Sequence, residues 1–153
     1  MADFSAQDRL FMQRAIVLAL EASKADEVPI GAVLVRDNQI IAEGHNQSIG
    51  LHDPSAHAEM NSIRQAGVKE KNYRLPETTL YTTLEPCSMC AGALIHARVK
   101  RLVFGAYDEK AGAVCSVYRL LDSNPRQHRL DWQGGLFETQ CAQLLSQFFK
   151  EKR

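Results

Sequence analysis

The sequence predicts an α/β fold, a three-layer sandwich in which a mixed five-stranded sheet is flanked by helices. Three observations predict it. Apolar residues recur at helical spacing near both ends of the chain. Two strand-like runs joined by a tight turn follow the first helix, which indicates a hairpin. Further along, a strand, a helix and a strand follow one another, as in a β-α-β unit whose two strands are parallel.

The predicted elements follow one another along the whole chain. Each helix is predicted from apolar spacing and terminal signals, and each strand from a short run rich in β-branched and aromatic residues. The main helices are predicted at residues 5–22, 53–66, 86–98 and 138–150. The strands are predicted at residues 30–35, 39–43, 79–83, 101–105 and 130–133, and a short extra helix is expected around residues 117–122.

Two of these helices are predicted to begin at a proline. Asp53 suits an N-cap and Pro54 a first helical residue, because the missing N–H of proline would have no partner there. Pro86 suits the same position in the later helix, which places Cys87 and Cys90 in its first turn on one face. The positive end of the helix dipole favours the thiolate forms, which are the forms that bind metal.

Length and composition predict one globular domain spanning residues 1–153. The chain is 45% hydrophobic and 24% charged, which is typical of a globular protein rather than a disordered one. The apolar run from Ala15 to Leu20 is too short for a membrane span or a signal peptide, so we expect a cytoplasmic protein with no membrane association. Cytoplasmic cysteines are normally reduced, and the four cysteines therefore favour metal binding over disulfides.

Charge alone gives no support for a nucleic-acid partner. The chain has 18 basic and 18 acidic residues and a net charge of zero. The best local cluster is the tail Lys150–Arg153, and Arg153 is our candidate for an RNA contact there. A solvated helix end with cations favourably placed by the dipole explains the tail equally well.

Cys87 and Cys90 are predicted to bind zinc together with His57, thirty positions before Cys87. Structural zinc sites normally have four protein ligands, whereas catalytic sites keep one position open. No fourth ligand at a sensible spacing is present, so the sequence predicts an open, catalytic site. A redox dithiol is the alternative, since C-x-x-C after a strand also suits that chemistry.

Glu59 is predicted to be the catalytic acid and base. A glutamate beside a zinc-activated water can remove a proton and return it to a leaving group. Positions i and i+2 of a helix point about 200° apart, which argues against a shared site for His57 and Glu59. The objection weakens if the metal lies off the end of the helix. A surface glutamate is the other interpretation.

His57-Ala58-Glu59 followed by Pro86-Cys87-Ser88-Met89-Cys90 matches the H-x-E and P-C-x-x-C signature of zinc-dependent base deaminases. Beyond that signature, nearly the whole chain resembles the bacterial tRNA-specific adenosine deaminases. The segments that carry the resemblance are 27–33, 44–46, 52–54, 72–75, 91–96, 104–106 with Asp108 and Lys110, and 148–150.

This resemblance implies a cytidine-deaminase-like fold, one zinc ion per subunit and a homodimer built partly on the Cys87 helix. It implies hydrolytic deamination of adenosine to inosine at the wobble position of a tRNA anticodon, with the anticodon loop as partner. It also implies that Asn46 binds the substrate base and that Asp108 and Lys110 touch the anticodon-loop backbone and sugar. Phe149 is implied to pack on an anticodon-loop base, although a core position is an equal alternative.

Two other functions stay open at this point. A free nucleobase or nucleoside deaminase, of the guanine or cytosine type, would use the same zinc chemistry. A non-catalytic zinc-containing RNA-binding subunit is the second alternative, and it would require neither Glu59 nor an open coordination position. The role of Glu85 is open as well: it either orients a metal ligand or serves as a charge at a helix N-terminus.

Overall fold

The computed structural model describes residues 3–152. Its helices are α1 (Ala6–Lys24), α2 (Ala58–Glu70), α3 (Ser88–His96) and α4 (Glu138–Glu151). Its strands are β1 (Gly31–Arg36), β2 (Gln39–His45), β3 (Thr79–Leu84), β4 (Arg101–Ala106) and β5 (Asp131–Gly134). Within the described range, no helix combines the length and the apolar character needed to cross a membrane.

The strands form one sheet in the order β2-β1-β3-β4-β5. β1 pairs antiparallel with β2 and with β3, whereas β3 pairs parallel with β4 and β4 with β5. The predicted hairpin, the parallel β-α-β unit and the mixed five-stranded sheet are therefore confirmed.

Helices cover both faces of the sheet. On one face Ala32 and Leu34 of β1 join a buried cluster with residues of α2 and α3. On the other face Val33 and Val35 join a second cluster with residues of α1 and α4. This alternation along β1 explains why the strand is apolar throughout rather than at every second residue. The three-layer sandwich is confirmed.

The parallel pair β3 and β4 places the chain segments of interest at one edge of the sheet. Leu84 and Ala106, the last residues of the two strands, are paired in register. The segment that leads into α3 and the loop that follows β4 therefore start side by side. In open α/β sheets, ligands bind beyond the carboxyl ends of the strands.

The start of α2 differs from the prediction. The helix begins at Ala58 with His57 as its N-cap, so Asp53 is not the N-cap and Pro54 is not its first residue. Asp53 Oδ1 instead accepts hydrogen bonds from the amide and the hydroxyl of Ser55, which closes a turn before the helix.

The ends of other elements differ too. α2 does not stop before Gly67 but runs to Glu70, because Lys71 adopts the left-handed conformation that ends it. α3 has Cys87 as its N-cap, so Pro86 precedes the helix instead of opening it.

The short helix expected at residues 117–122 is wrong, since this segment consists of turns, bends and irregular backbone. Its backbone amides do not bond four residues back. Those of Val117 and Tyr118 both donate to the Gly112 carbonyl, and that of Leu120 donates to the Ala113 carbonyl. The segment therefore folds back onto the preceding loop, and helical periodicity in the sequence could not reveal this.

Polar side chains spaced four residues apart attach α2 to the edge strand β2. Their hydrogen bonds join Asn61 Nδ2 to the His45 carbonyl (2.9 Å), the Glu43 amide to Gln65 Oε1 (2.8 Å), and Lys69 Nζ to the Ile41 carbonyl (3.4 Å). A spacing of four places them on one face of the helix. The contacts satisfy backbone groups that would otherwise invite pairing with another chain, and they fix the helix whose start carries the site.

A buried ion pair joins α1 to the sheet. Asp8 accepts hydrogen bonds from both terminal nitrogens of Arg101 (2.9 and 3.0 Å) and from the Tyr81 hydroxyl (2.7 Å). Burial raises the pKa of Asp8, but the hydrogen bonds from Arg101, Tyr81 and the Ser5 amide outweigh it and hold this pKa well below the ordinary value of 3.8. The carboxylate is therefore charged in the folded protein.

We expect Asp8→Asn to lower the free energy of unfolding at pH 7 by about 3 kcal/mol, because it leaves the partly buried Arg101 guanidinium without its carboxylate partner. The pKa of Asp8 is lower in the folded than in the unfolded protein. The stabilisation by its charged carboxylate is therefore present above pH 3.8 and is lost as the pH falls from 3.8 through the pKa of the folded state. Urea unfolding of both proteins at pH 7 and at pH 3 measures the difference.

Asp122→Asn is the matched control, because its partner Arg119 is exposed and the pair is expected to contribute less than about 1 kcal/mol. Equal losses in the two variants, or a difference that grows in acid, would contradict the role assigned to Asp8.

Candidate metal centre and active site

Two helix N-caps face each other beyond the carboxyl end of β3. His57 is the N-cap of α2 and Cys87 is the N-cap of α3. Neither side chain makes a capping hydrogen bond to its own helix. Their side chains point at each other instead, with 3.6 Å between His57 Nδ1 and Cys87 Sγ. Because His57 lies outside α2, the geometry of an ideal helix no longer separates it from Glu59.

Cys90 completes a cluster of three potential metal ligands. Its Sγ is also 3.6 Å from His57 Nδ1, and the three ligand atoms all lie within 4.8 Å of one another. Zinc bonds of about 2.3 Å to sulfur and about 2.0–2.1 Å to nitrogen, at tetrahedral angles, require a nitrogen–sulfur separation of about 3.6 Å. The cluster therefore fits one zinc ion. Within residues 3–152, no fourth histidine, cysteine or carboxylate joins it.

The protonation of the cluster also suits a metal. A hydrogen bond from Cys90 lowers the pKa of the Cys87 thiol to about 4, and the same hydrogen bond, together with burial, raises the pKa of Cys90. The hydrogen bond to Cys87 raises the pKa of His57. The lowered pKa of Cys87 favours the thiolate form that binds metal, and a divalent cation can replace the protons that the cluster would otherwise hold.

Glu59 lies beside this cluster and is buried, with 4% of its surface exposed. Its Oε1 is buried and has no hydrogen-bond partner among the described residues. Burial raises the pKa of Glu59 to about 7. A surface role is excluded by this burial, and an unpartnered carboxylate oxygen beside a three-ligand cluster is suited to a water molecule on the open side of a metal.

Asn46 is held by the start of α2. Its Oδ1 accepts a hydrogen bond from the Ala58 amide at 2.8 Å, which provides the cap that the His57 side chain does not. An amide N–H can only donate, so the atom facing Ala58 is the oxygen. Asn46 Nδ2 has no partner among the described residues and remains a donor beside the site.

Three of the residues predicted to contact RNA line one groove, which has a volume of about 590 Å³. Asp108, Lys110 and Phe149 line it, together with Tyr107 and Val28. Phe149 is 47% exposed, so its position on α4 is not a core position. Asp108 Oδ1 accepts hydrogen bonds from the amides of Lys110 and of Ala111, which leaves Oδ2 for other contacts.

The basic tail is only partly described. Arg153 lies outside the described residues, so its predicted contact has no structural account. The ammonium group of Lys152 pairs with Asp26 at 2.7 Å and lies over the Phe148 ring. This lysine therefore makes an ion pair within the protein, although the side chains of both partners are exposed to solvent.

Two buried glutamates near the site have roles that the sequence did not reveal. Glu27 accepts hydrogen bonds from the amides of Ile49 and Gly50, in the loop that follows Asn46. Glu85 binds the loop after β4, and among the described residues no hydrogen bond joins its carboxylate to a metal ligand, so it does not orient a ligand by a direct hydrogen bond. Its role as a charge near the N-terminus of α3 stays a prediction. For Glu85, the available signal was a charged residue directly after β3, a strand that is mostly buried. Glu27 lies between α1 and β1 and has no such signal.

A profile of the cytidine and deoxycytidylate deaminase zinc-binding region matches residues 5–106. The chain belongs to this deaminase family. The match spans α1 to β4 and includes all members of the cluster. It supports zinc rather than a redox dithiol and identifies the chain as a zinc-dependent hydrolase.

Two bacterial relatives with curated names are similar to this chain over almost its whole length. The chain is 48% identical over 147 residues to a tRNA-specific adenosine deaminase of Haemophilus influenzae, covering 95% of this chain and 85% of the relative. It is 48% identical over 143 residues to one of Agrobacterium fabrum, covering 94% of each. The resemblance to bacterial tRNA-specific adenosine deaminases is confirmed.

Solved structures share the fold. One, from work on A-to-I editing by tRNA:A34 deaminases at the wobble position, is 47% identical with a TM-score of 0.85, covering 89% of this chain and 99% of that one. The cytidine-deaminase-like fold is therefore confirmed. A guanine deaminase from Nitrosomonas europaea is 22% identical with a TM-score of 0.80, covering 97% of this chain and 86% of that one, and shows the fold alone.

Proposed function

We propose that this protein deaminates adenosine to inosine at the wobble position of a tRNA anticodon. The observation that carries the proposal is the buried Glu59, whose Oε1 has no partner among the described residues, beside a three-residue cluster that fits zinc. Relatives that are 48% identical and carry the name tRNA-specific adenosine deaminase supply the substrate. A non-catalytic subunit would need neither the carboxylate nor the open position.

His57, Cys87 and Cys90 would hold the zinc ion. When bound, zinc supplies Lewis-acid activation of a water molecule, whose pKa it lowers from about 15.7 to about 7. Glu59 takes one proton from the attacking water and passes it to a ring nitrogen of adenine. It then moves the second proton to the amino group, which departs as ammonia and leaves the carbonyl of inosine.

Substrate contacts would come from both sides of this centre. Asn46 would donate from Nδ2 to the substrate base, since its oxygen is occupied by Ala58. Asp108 and Lys110 would meet the sugar and backbone of the anticodon loop, and the half-exposed Phe149 ring would stack on one of its bases. Arg153 would add a cation at the end of the chain. A loop base is not held in a duplex, so turning it into the site costs little.

The whole chain, residues 1–153, would act as one deaminase domain in a cytoplasmic homodimer. Gly92, on the helix expected at the subunit contact, supports this arrangement, because a Cβ there would meet nothing within 4 Å. A second helix could therefore approach closely. Sedimentation equilibrium should give twice the 17.1 kDa of one chain, and a monomer at micromolar concentration would contradict the dimer.

The deciding experiment offers the zinc-loaded protein three substrates: an anticodon stem-loop with a wobble adenosine, free adenosine, and free guanine or cytidine. We expect inosine from the stem-loop only. Turnover of a free base or nucleoside with no reaction on the stem-loop would favour the nucleobase deaminase instead.

We expect Asn46→Asp to lower kcat/KM on the stem-loop by about 10- to 100-fold, because the substrate loses a donor. An aspartate can still accept from the Ala58 amide and suits a helix N-terminus, so the unfolding temperature should not fall. Steady-state kinetics and thermal unfolding test both statements.

Asn46→Ala is the comparison, since it removes the donor and also leaves the Ala58 amide without its cap. It should lose both activity and stability. Normal activity of the aspartate variant would show that Nδ2 gives nothing to the substrate.

A further inference from the structure

The loop that follows β4, residues 107–116, is bound to one buried carboxylate. Glu85 is 1% exposed, and both of its oxygens accept hydrogen bonds from this loop. Oε1 accepts from the Asp108 amide (3.1 Å) and the Ser116 hydroxyl, and Oε2 accepts from the amides of Val114 (3.1 Å), Cys115 (2.9 Å) and Ser116 (3.0 Å). A carboxylate can accept about four hydrogen bonds in good geometry, so this one is saturated.

The backbone of the loop is shaped around this carboxylate. A Cβ on Gly112 would overlap the Glu85 carboxyl group and the Asp108 carbonyl. The Ala113 amide donates to the Pro86 carbonyl at 2.8 Å, and the Glu85 amide donates to the Ala106 carbonyl at 2.8 Å. The loop is thus joined on both sides to the segment that leads into Cys87.

The same loop carries side chains that line the groove. Asp108 and Lys110 project from its first part, and the Asp108 amide is itself one of the donors to Glu85. A loop of this length without regular structure would otherwise be free to adopt many conformations. Ordering it on binding would reduce affinity, whereas a loop that is already ordered avoids this loss.

We infer that Glu85 is a positioning residue, which fixes the 107–116 loop so that Asp108 and Lys110 meet the RNA in one preset conformation. The inference rests on the proposed function for its substrate. Among the described residues, the Glu85 carboxylate makes its hydrogen bonds to the 107–116 loop and none to a ligand of the cluster, so we expect it to act on binding of the RNA rather than on the chemical step. A merely structural role differs in its consequences, since it would lower stability and the active fraction without changing KM.

Glu85→Gln in the full, zinc-loaded chain tests the inference. Glutamine keeps the shape but has a single acceptor oxygen, so two or three of the five donors lose their partner. We expect KM for the wobble-adenosine stem-loop to rise by about tenfold or more, with kcat within about threefold of the parent protein. Zinc per chain should stay unchanged. An unchanged KM would overturn the inference.

A double-mutant cycle with Lys110→Ala adds a readout that general destabilisation does not produce. We expect Lys110→Ala to raise KM in the parent protein and to have little further effect beside Glu85→Gln, because the loop no longer presents the lysine. If Lys110→Ala changes KM by the same factor in the parent protein and in Glu85→Gln, or changes it in neither, the inference would be overturned.

Amide hydrogen exchange separates this inference from the proposed function. Exchange at residues 108–116 should accelerate in Glu85→Gln while α2 and α3 keep their protection. If the parent protein makes no inosine, the proposed function fails, and the exchange result alone decides the role of Glu85. Ser116→Ala is the second variant, for the case that Glu85→Gln does not fold. It removes one hydroxyl donor and keeps the carboxylate, and it should raise both KM and the exchange rate at residues 108–116. Unchanged exchange at residues 108–116, measured in Glu85→Gln or, if that variant does not fold, in Ser116→Ala, would overturn the inference.

Discussion

Glu59→Gln is expected to lower kcat for inosine formation by about 10²–10⁴-fold while one zinc ion per chain is retained. The amide has the shape of the carboxylate but cannot accept and return a proton. Glu59 is not a member of the three-residue cluster, so the substitution removes no metal ligand. Single-turnover kinetics on the stem-loop, with zinc measured by atomic absorption on the same sample, give both quantities.

The unfolding temperature of Glu59→Gln shows whether the loss of kcat comes from unfolding of the protein. Glu59 Oε1 makes no hydrogen bond to the described residues, and glutamine keeps the shape of this buried side chain without its charge, so the unfolding temperature should not fall. Glu21→Gln, on the exposed side of α1, is the control for loss of a carboxylate and should leave kcat unchanged. Near-normal inosine formation by Glu59→Gln would end the assignment of this residue as acid and base.

Local patterns in the sequence were sufficient for the elements and the fold class. The hairpin and the β-α-β unit depend on the spacing of residue types over a few positions. The sheet order was not predicted, because the pairings of β1 with β3 and of β4 with β5 join segments that are far apart in the chain. Element boundaries were less accurate where a distant residue decides them. Asp53 and Pro54 match a helix start, but Asn46, which follows β2, caps the helix at Ala58 instead.

Some residues of the candidate site could be predicted from the sequence, and others could not. Residue types at fixed spacing indicated His57, Glu59 and the two cysteines, because metal ligation requires particular atoms. The roles of Glu27 and Glu85 depend on amides 22 to 31 residues away in the chain, and no periodicity records such contacts. The expectation that Phe149 is equally suited to the core could be decided only by its exposure in the fold.

Cys87→Ala is expected to lose zinc, and with it stability and activity. Two protein ligands would remain, whereas catalytic zinc sites have three. Zinc binds the folded protein, so its loss lowers the free energy of unfolding by about 4 kcal/mol if the free metal stands at 1,000 times its dissociation constant. For a chain of this size, that corresponds to a fall in unfolding temperature on the order of 10 °C.

Chelator treatment, a second cysteine variant and the addition of zinc together test whether the loss of stability in Cys87→Ala comes from the metal cluster. The parent protein treated with a strong chelator should unfold at a temperature close to that of Cys87→Ala, because both lack the metal. Cys115→Ala should keep one zinc per chain, because that sulfur lies outside the cluster found among the described residues. Added zinc should raise the unfolding temperature of the chelated parent protein but not that of Cys87→Ala. A full complement of zinc in Cys87→Ala would contradict the assignment of Cys87 as a ligand, whatever its activity.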